Sequence, residues 1–373
     1  MKETISKPKV LFILHLPPPV HGASTVGSYI KNSVIINQEF DAVYINLATN
    51  TTLSQSGKAG FKKVSAFLAL LFSVVTTLRH NKFDVCYLTL NASGPAFYKD
   101  FIVLALIKLF RTKIIYHFHN KGVAQASKNG ITRVLYKFAF KNTSSILLSS
   151  YLYPDIQQYV KEQDVYYCPN GIPVQEVLCN KNSLTNDKSE RCALLYLSNM
   201  MYQKGVYVLL DAVKDLRERK LNFECHFVGG WSDIEESEFK QKIQENNLSE
   251  IVFAHGPKYG KDKHSFFCKA DVFIFPTLYE AFGLVNLEAM QHGLAVVSTL
   301  EGGIPDIVVN GKTGFLVPPK DSKALADKLE ILIRNSSLRT EMGQEGKKRF
   351  DALFTLNHFE NRIIEILKEV AHK

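Results

Sequence analysis

Short, mostly apolar runs recur along this 373-residue chain, separated by longer segments of helical period, and no other feature limits its folds so tightly. Lys9–His15 (KVLFILH) is the first run; Ala42–Asn46, Val85–Thr89, Lys113–His119 and Ser145–Ser149 follow. The second half repeats the plan with Ala193–Ser198, Asn222–Val228, Ile251–Ala254, Val272–Phe275 and Ala295–Ser298, and with a helical segment at Val206–Arg219. Continuous apolar runs of this length predict strands buried on both faces, and their alternation with helices predicts parallel, doubly wound sheets of the α/β class. The length suits two domains better than one core. Residues 178–191, LCNKNSLTNDKSER, are polar and turn-rich and put the boundary there. The expected division is therefore 1–177, 178–355, and a tail, 356–373, built on an amphipathic helix over about Leu356–Val370. Two such sheets facing each other make a cleft at the carboxyl ends of their strands, where open α/β sheets bind ligands.

Charge is divided unevenly. Residues 1–170 hold nineteen Lys+Arg against eight Asp+Glu, an excess of +11; the whole chain is +9, so the remainder is −2. The basic half also contains the most apolar stretches, Val64–Leu78 and Phe101–Phe110, with Lys62 and Lys63 before the first. Both are shorter than the roughly 20 residues that span a bilayer. They read either as buried helices or as a basic, apolar face suited to an anionic membrane surface. Nucleic acid is not an expected partner, because no aromatic-basic RNA motif or DNA-reading helix is present. Cys86, Cys168, Cys179, Cys192, Cys225 and Cys268 form no C-x-x-C pair and read as reduced thiols. The N-terminal MKETISKPKV lacks the apolar centre of a signal peptide, so a cytoplasmic location is expected.

The stretch Asp271–Gly293, DVFIFPTLYEAFGLVNLEAMQHG, carries the densest chemistry. It predicts a strand ending at Pro276, a turn with Glu280, then Gly283 and a helix containing Glu288. At about 1.5 Å of rise per residue, Glu288 lies roughly 7–8 Å along that helix from Gly283. Between the two acids stand the free N–H groups of a helix N-terminus, a natural phosphate seat. Paired acids for hydroxyls around a phosphate seat suit a sugar nucleotide. Glutamates near a helix start are also common for electrostatic reasons alone.

The line Glu280-Ala-Phe-Gly-Leu-Val-Asn-Leu-Glu288, then Ala289, Met290, Gly293, Gly302-Gly303-Ile304-Pro305-Asp306, Asn310-Gly311, Gly314-Phe315-Leu316-Val317-Pro318 and Asp321, resembles the E-x7-E region of the retaining glycosyltransferases of family 4 (glycosyl transferases group 1). That resemblance implies the GT-B fold, two facing Rossmann-like domains, with the first taking the acceptor, the second the nucleotide sugar, and the tail helix returning to the first domain. It implies donor contacts from Phe282, Gly283, Leu284 and Val285, ribose binding by Glu288, and contact of Glu280 with the sugar beside the reaction centre. Lys204, in Ser198-Asn199-Met200-Met201-Tyr202-Gln203-Lys204-Gly205, falls where the family has its phosphate-binding lysine; Asn199 replaces the family's arginine. An arginine fork is lost with it, so more of the phosphate charge falls to Lys204. His255 and Gly256 fall in a loop that walls the nucleotide base. Gly22 matches a first-domain glycine that approaches the donor phosphate, with His21 in place of a second glycine. His119 matches an active-site histidine, with Asn120 beside it, and Asn170-Gly171 resembles the segment leading into the second domain. Asn120, Asn170 and His21 are the expected acceptor or sugar contacts, and His119, Glu280 and Lys204 the catalytic set.

The implied activity is retaining transfer of a sugar from a UDP- or GDP-linked donor to a glycan or lipid-linked acceptor, in bacterial surface polysaccharide synthesis on the inner face of the plasma membrane. No cofactor is expected beyond the donor. No metal is expected either: no D-x-D pair is present, and His117 with His119 has no third ligand of suitable spacing. Lys204, backbone N–H groups and the helix dipole can stabilise the leaving diphosphate instead. Two alternatives remain at this level: a catalytically degenerate partner subunit, which Asn199 and the single Gly22 keep open, and a nucleotide-sugar epimerase of the same fold. No G-x-G-x-x-G follows a strand, which argues against a dinucleotide oxidoreductase.

Overall fold

A computed structural model describes residues 7–48, 61–175 and 191–373. The chain divides into two units: Met1–Asn170 with Leu356–Lys373, and Gly171–Thr355. The first runs β1 (Lys9–Leu14), α1 (Gly22–Asn32), α2 (Val34–Glu39), β2 (Asp41–Asn46), α3 (Phe61–His80), β3 (Val85–Leu88), α4 (Gly94–Leu109), β4 (Lys113–His117), α5 (Val123–Ala126), α6 (Gly130–Phe140), β5 (Ser144–Leu147), α7 (Tyr153–Ile156) and β6 (Val165–Tyr167). The second runs β7 (Cys192–Leu197), α8 (Val206–Glu218), β8 (Phe223–Val228), α9 (Glu236–Glu245), β9 (Val252–Ala254), α10 (Gly260–Lys269), β10 (Val272–Phe275), α11 (Leu284–Gln291), β11 (Ala295–Thr299), α12 (Ile304–Ile307), β12 (Gly314–Val317), α13 (Ser322–Arg334) and α14 (Ser336–Leu353). The last helix, α15 (Leu356–His372), belongs to the first unit and packs on α2, β3 and β4.

Each unit holds one six-stranded sheet, in the orders β2-β1-β3-β4-β5-β6 and β12-β11-β10-β7-β8-β9. The pairings of the central strands are parallel, as with Val10 opposite both Ala42 and Val85, and Val272 opposite both Leu194 and Ala295. The apolar runs are buried because helices cover both faces: Val10–Leu14 are wholly inaccessible, and so are Val272, Phe273 and Ile274. In the second unit Leu209, Val213 and Leu216 of α8 join Leu325, Leu329 and Leu332 of α13 over the sheet. The strand order reverses between β1 and β3 in the first unit and between β7 and β10 in the second. Chains leaving the carboxyl ends of adjacent strands diverge at such a point and leave room for a ligand.

Two strands that periodicity does not reveal, β6 and β12, complete the sheets, and the expected strand Lys113–His119 ends at His117. Cys86, Cys168, Cys192 and Cys225 are free and buried, as the spacing suggests; Cys268 is disulfide-bonded, which overturns the expectation that every cysteine is reduced.

Candidate functional site

The second unit brings its expected residues together where β7 and β10 part. Gly205 ends the β7 loop in the left-handed region at φ 74°, and a Cβ there would stand 1.9 Å from the Pro276 carbonyl oxygen. Only glycine lets these two loops meet. They are then tied by hydrogen bonds from Leu278 N–H and Thr277 Oγ1 to the Gln203 carbonyl, at 2.8 and 3.1 Å. The result is that Lys204 Nζ lies 2.8 Å from Glu280 Oε2, while Glu280 Oε1 accepts from the Ala281 N–H at 2.9 Å. Both side chains are mostly buried. Gly283, at φ 85°, is the N-cap of α11 and supplies no side-chain cap, so the first N–H groups of that helix, at Leu284 and Val285, are not capped by a side chain. Phe282 is buried and packs on Phe354, and its N–H donates to Glu280 Oε1 at 3.4 Å.

Glu288, one turn into α11, is held by a residue the sequence reading missed. Lys263 on α10 reaches both carboxylate oxygens, at 2.7 and 2.9 Å. The next residue, His264, bonds His292 Nε2 through its Nδ1 at 2.7 Å, and His292 Nδ1 bonds the Glu288 carbonyl oxygen at 2.7 Å. Helix α10 thus clasps α11 at two successive residues. Burial, joined by the charge of His264, pushes the His292 imidazole down to about 4. These groups also include the set closest to a ligand cluster among the described residues, His264, Cys268 and His292. The two imidazoles are bonded to each other, and Cys268 is in a disulfide, so its sulfur offers no thiolate.

At the far end of the same sheet, Glu224, His226 and His255 form a chain: Glu224 Oε1 to His226 Nε2 at 3.0 Å, and His226 Nδ1 to His255 Nε2 at 2.9 Å. With Glu224 accepting, His226 Nδ1 accepts in turn from His255, which leaves His255 Nδ1 as an acceptor. Burial and then the neighbouring His226, Lys258 and Lys269 charges lower the His255 pKa. Gly256 follows in the left-handed region. Asn199 is exposed.

In the first unit His21 is the N-cap of α1. Its Nδ1 accepts from Ser24 N–H at 3.3 Å while Ser24 Oγ accepts from His21 N–H at 2.9 Å, a reciprocal cap. Gly22 has no structural need to be glycine: its φ is ordinary and nothing lies within 4 Å of a Cβ placed there. Asn120 is engaged in its own loops, accepting from Ala92 N–H at 2.9 Å and donating to Asn91 Oδ1 at 3.1 Å. Asn91 donates to Asp100 Oδ2 at 2.7 Å and approaches His15 Nε2 at 3.1 Å. This His15–Asn91–Asp100 chain, at the parting of β1 and β3, was also missed from sequence. Asp100 is fully buried, and burial raises its pKa. His117 is core, bonded to the Tyr87 hydroxyl. His119 packs against it at 4.2 Å between ring centroids, and its buried Nδ1 has no hydrogen-bond partner among the described residues. Burial pushes both His15 and His119 down to about 3, so both imidazoles are neutral near pH 7. The Asn170 side-chain oxygen is likewise buried without a partner.

Residues 181–349 match the family model described as glycosyl transferases group 1. A capsular polysaccharide biosynthesis glycosyltransferase, CapM of Staphylococcus aureus, is 32% identical over 202 residues, covering 52% of this chain and 50% of that protein. An uncharacterized 41.2 kDa protein from the cps region of Klebsiella pneumoniae is 27% identical over 343 residues, covering 84% and 88%. Among solved structures, Anabaena Alr3699/HepE in complex with UDP superposes with a TM-score of 0.75 at 19% identity, covering 97% of this chain and 100% of that one. The two-sheet α/β architecture is therefore that of GT-B glycosyltransferase structures, and over residues 181–349 the chain carries a domain of the glycosyl transferases group 1 family.

Proposed function

We propose that the protein is a metal-independent, retaining glycosyltransferase that moves a sugar from a nucleotide-sugar donor to a glycan or lipid-linked acceptor during surface polysaccharide assembly at the cytoplasmic side of the plasma membrane. The observation that carries this reading is the convergence of Lys204, Glu280 and the side-chain-uncapped N-terminus of α11 at the strand-order reversal of the second unit. The Lys204 ammonium rests on Glu280. A donor diphosphate gives it a second anion, and the α11 N–H groups meet the same phosphates. As the sugar–phosphate bond breaks, charge grows on the leaving diphosphate where these donors already point, so the transition state gains more than the ground state. Glu280, released from the lysine, is free to accept from sugar hydroxyls, and Glu288 to accept from the ribose diol. The names of the relatives, and the UDP bound by the Anabaena protein, favour a nucleotide sugar and a polysaccharide product. Neutral imidazoles at His119 and His15 suit uncharged hydroxyls on the acceptor side.

A panel of nucleotide sugars tested by thermal shift identifies the donor, since a bound ligand raises the melting temperature by mass action. Turnover with that donor should persist in EDTA, and NMR of the product should show the donor's anomeric configuration kept. Loss of activity in EDTA with rescue by manganese, or an inverted product, would refute the mechanism.

A further inference from the structure

Exposed apolar side chains gather on one layer of the first unit. Helix α4 lies between α3 and α6: Phe101 packs on Phe138 at 5.6 Å between ring centroids, the Tyr98 hydroxyl bonds Thr132 Oγ1 at 2.9 Å, and α3 packs along the other side. The inward stripe of α4, with Phe97, Val103, Leu104 and Ile107, is buried. Its outward stripe is apolar too, with Ile102 and Leu109 two turns apart. A helix apolar all round ordinarily sits inside a protein. Here one side faces solvent, and its neighbours do the same. Phe72 on α3 is 72% exposed, Leu109 on α4 76% and Ile131 on α6 70%, with Leu68 and Phe138 extending the stripes of α3 and α6.

Charge around this layer has one sign. The sole acid in the three helices is Asp100, which is fully buried, whereas Arg79, Lys108, Arg133 and Lys137 lie among or beside the apolar stripes. Among the described residues no helix is long and apolar enough to cross a membrane. Apolar stripes flanked by bases, on helices that do not span, match the chemistry of a bilayer's anionic headgroup zone. A protein partner would need a matching acidic, apolar surface, and a second copy of this face would set base against base.

We propose that the outward faces of α3, α4 and α6 form a seat on an anionic phospholipid surface, with Leu68, Phe72, Ile102, Leu109, Ile131 and Phe138 entering the headgroup–acyl boundary and the flanking bases meeting lipid phosphates. This deepens, and rests on, the reading of a membrane-side transferase. Lys62 and Lys63 stand in the first turn of α3, and their side chains lie outside the described ones.

The test is flotation of the full chain with vesicles of phosphatidylcholine alone or mixed with phosphatidylglycerol, at low and high salt. Wild type should float with the mixed vesicles and be weakened by salt. Phe72→Glu, Leu109→Glu and Ile131→Glu, one per helix and each in an exposed position, should each cut binding about tenfold without lowering the melting temperature. Ile331→Glu, an exposed apolar position of α13 in the second unit, should change nothing. The proposal fails if wild type ignores the mixed vesicles, or if the three variants bind as well as wild type does. A wild-type dimer that ignores vesicles and is dissociated by Phe72→Glu would overturn it as well, making the face an interface between copies. Donor turnover without vesicles, measured in parallel, should be equal in all variants. Vesicle binding without any donor turnover would sink the transferase reading and leave the seat standing.

Discussion

Each acid of the Glu280/Glu288 pair is matched by a lysine, and the two lysines have different consequences. Lys204 shares Glu280 with any incoming phosphate, so removing the acid frees the ammonium. Glu280→Gln should therefore keep or improve nucleoside diphosphate affinity while cutting turnover strongly. Glu288→Gln should weaken the nucleoside diphosphate by about 1.5–3 kcal/mol, the worth of hydrogen bonds to a charged group. Isothermal calorimetry separates the two, and equal losses would refute both roles. Lys263→Met should release the Glu288 carboxylate from its grip on two oxygens. Its expected mark is a raised KM for donor with little change in kcat; a fall in kcat alone would place Lys263 in the chemistry instead. Sequence shows Glu280, Glu288 and Lys204 because they sit in contiguous motifs. Lys263, Asn91 and the Glu224–His226–His255 chain stay hidden, because their meaning lies in partners 25 to 29 residues away or on a neighbouring strand.

At the scale of elements, glycines divide by what surrounds them. Gly205→Ala puts a Cβ against the Pro276 carbonyl in a left-handed conformation, so it should destabilise the second unit by about 1–2 kcal/mol from the conformation alone, and more from the clash. Gly22→Ala meets empty space and should leave the melting temperature alone. If that glycine serves the close approach of a phosphate, donor kcat/KM falls all the same; an unchanged kcat/KM would make Gly22 an ordinary turn residue. Most strands were legible because runs such as Val272–Phe275 are continuous and apolar. β6 has three residues and β12 four, beginning at a glycine, too short for a period to show. The run Lys113–His119 reads as strand throughout, but β4 ends at His117, the last bond to β5 is from Phe118 N–H to the Ile146 carbonyl at 3.1 Å, and His119 lies in the loop beyond with its Nδ1 unpartnered among the described residues. The apolar stretches Val64–Leu78 and Phe101–Phe110 read equally as core or as surface because they are both: one stripe of each helix covers the sheet and the other is open.

Over the whole molecule, the buried imidazoles set the response to acid. His15 and His119 titrate near 3 and His292 near 4 in the folded chain, all below the usual value of 6.5. On acidification the unfolded chain therefore takes up protons first. The stability these groups contribute is complete above about pH 6.5 and is lost as pH falls toward 3–4, at up to roughly 1.4 kcal/mol per pH unit for each group. The melting temperature should drop steeply between pH 6.5 and 4.5, and less steeply in His15→Gln; parallel curves would show that other groups dominate. The two-unit plan was legible from alternation alone; the amphipathic pattern of α15 says that it packs without saying where, and only the family resemblance pointed it back to the first unit, where it lies. Its place has a temporal consequence. Phe359, Ile363 and Leu367 are buried in the unit whose other residues end at Asn170, and the whole second unit is translated in between. At about 5–20 residues per second, the ribosome needs on the order of ten to forty seconds to cross that insertion. For that interval the nascent first unit waits with the ground beneath α15 bare, so the half of the protein that emerges first is the last to be finished.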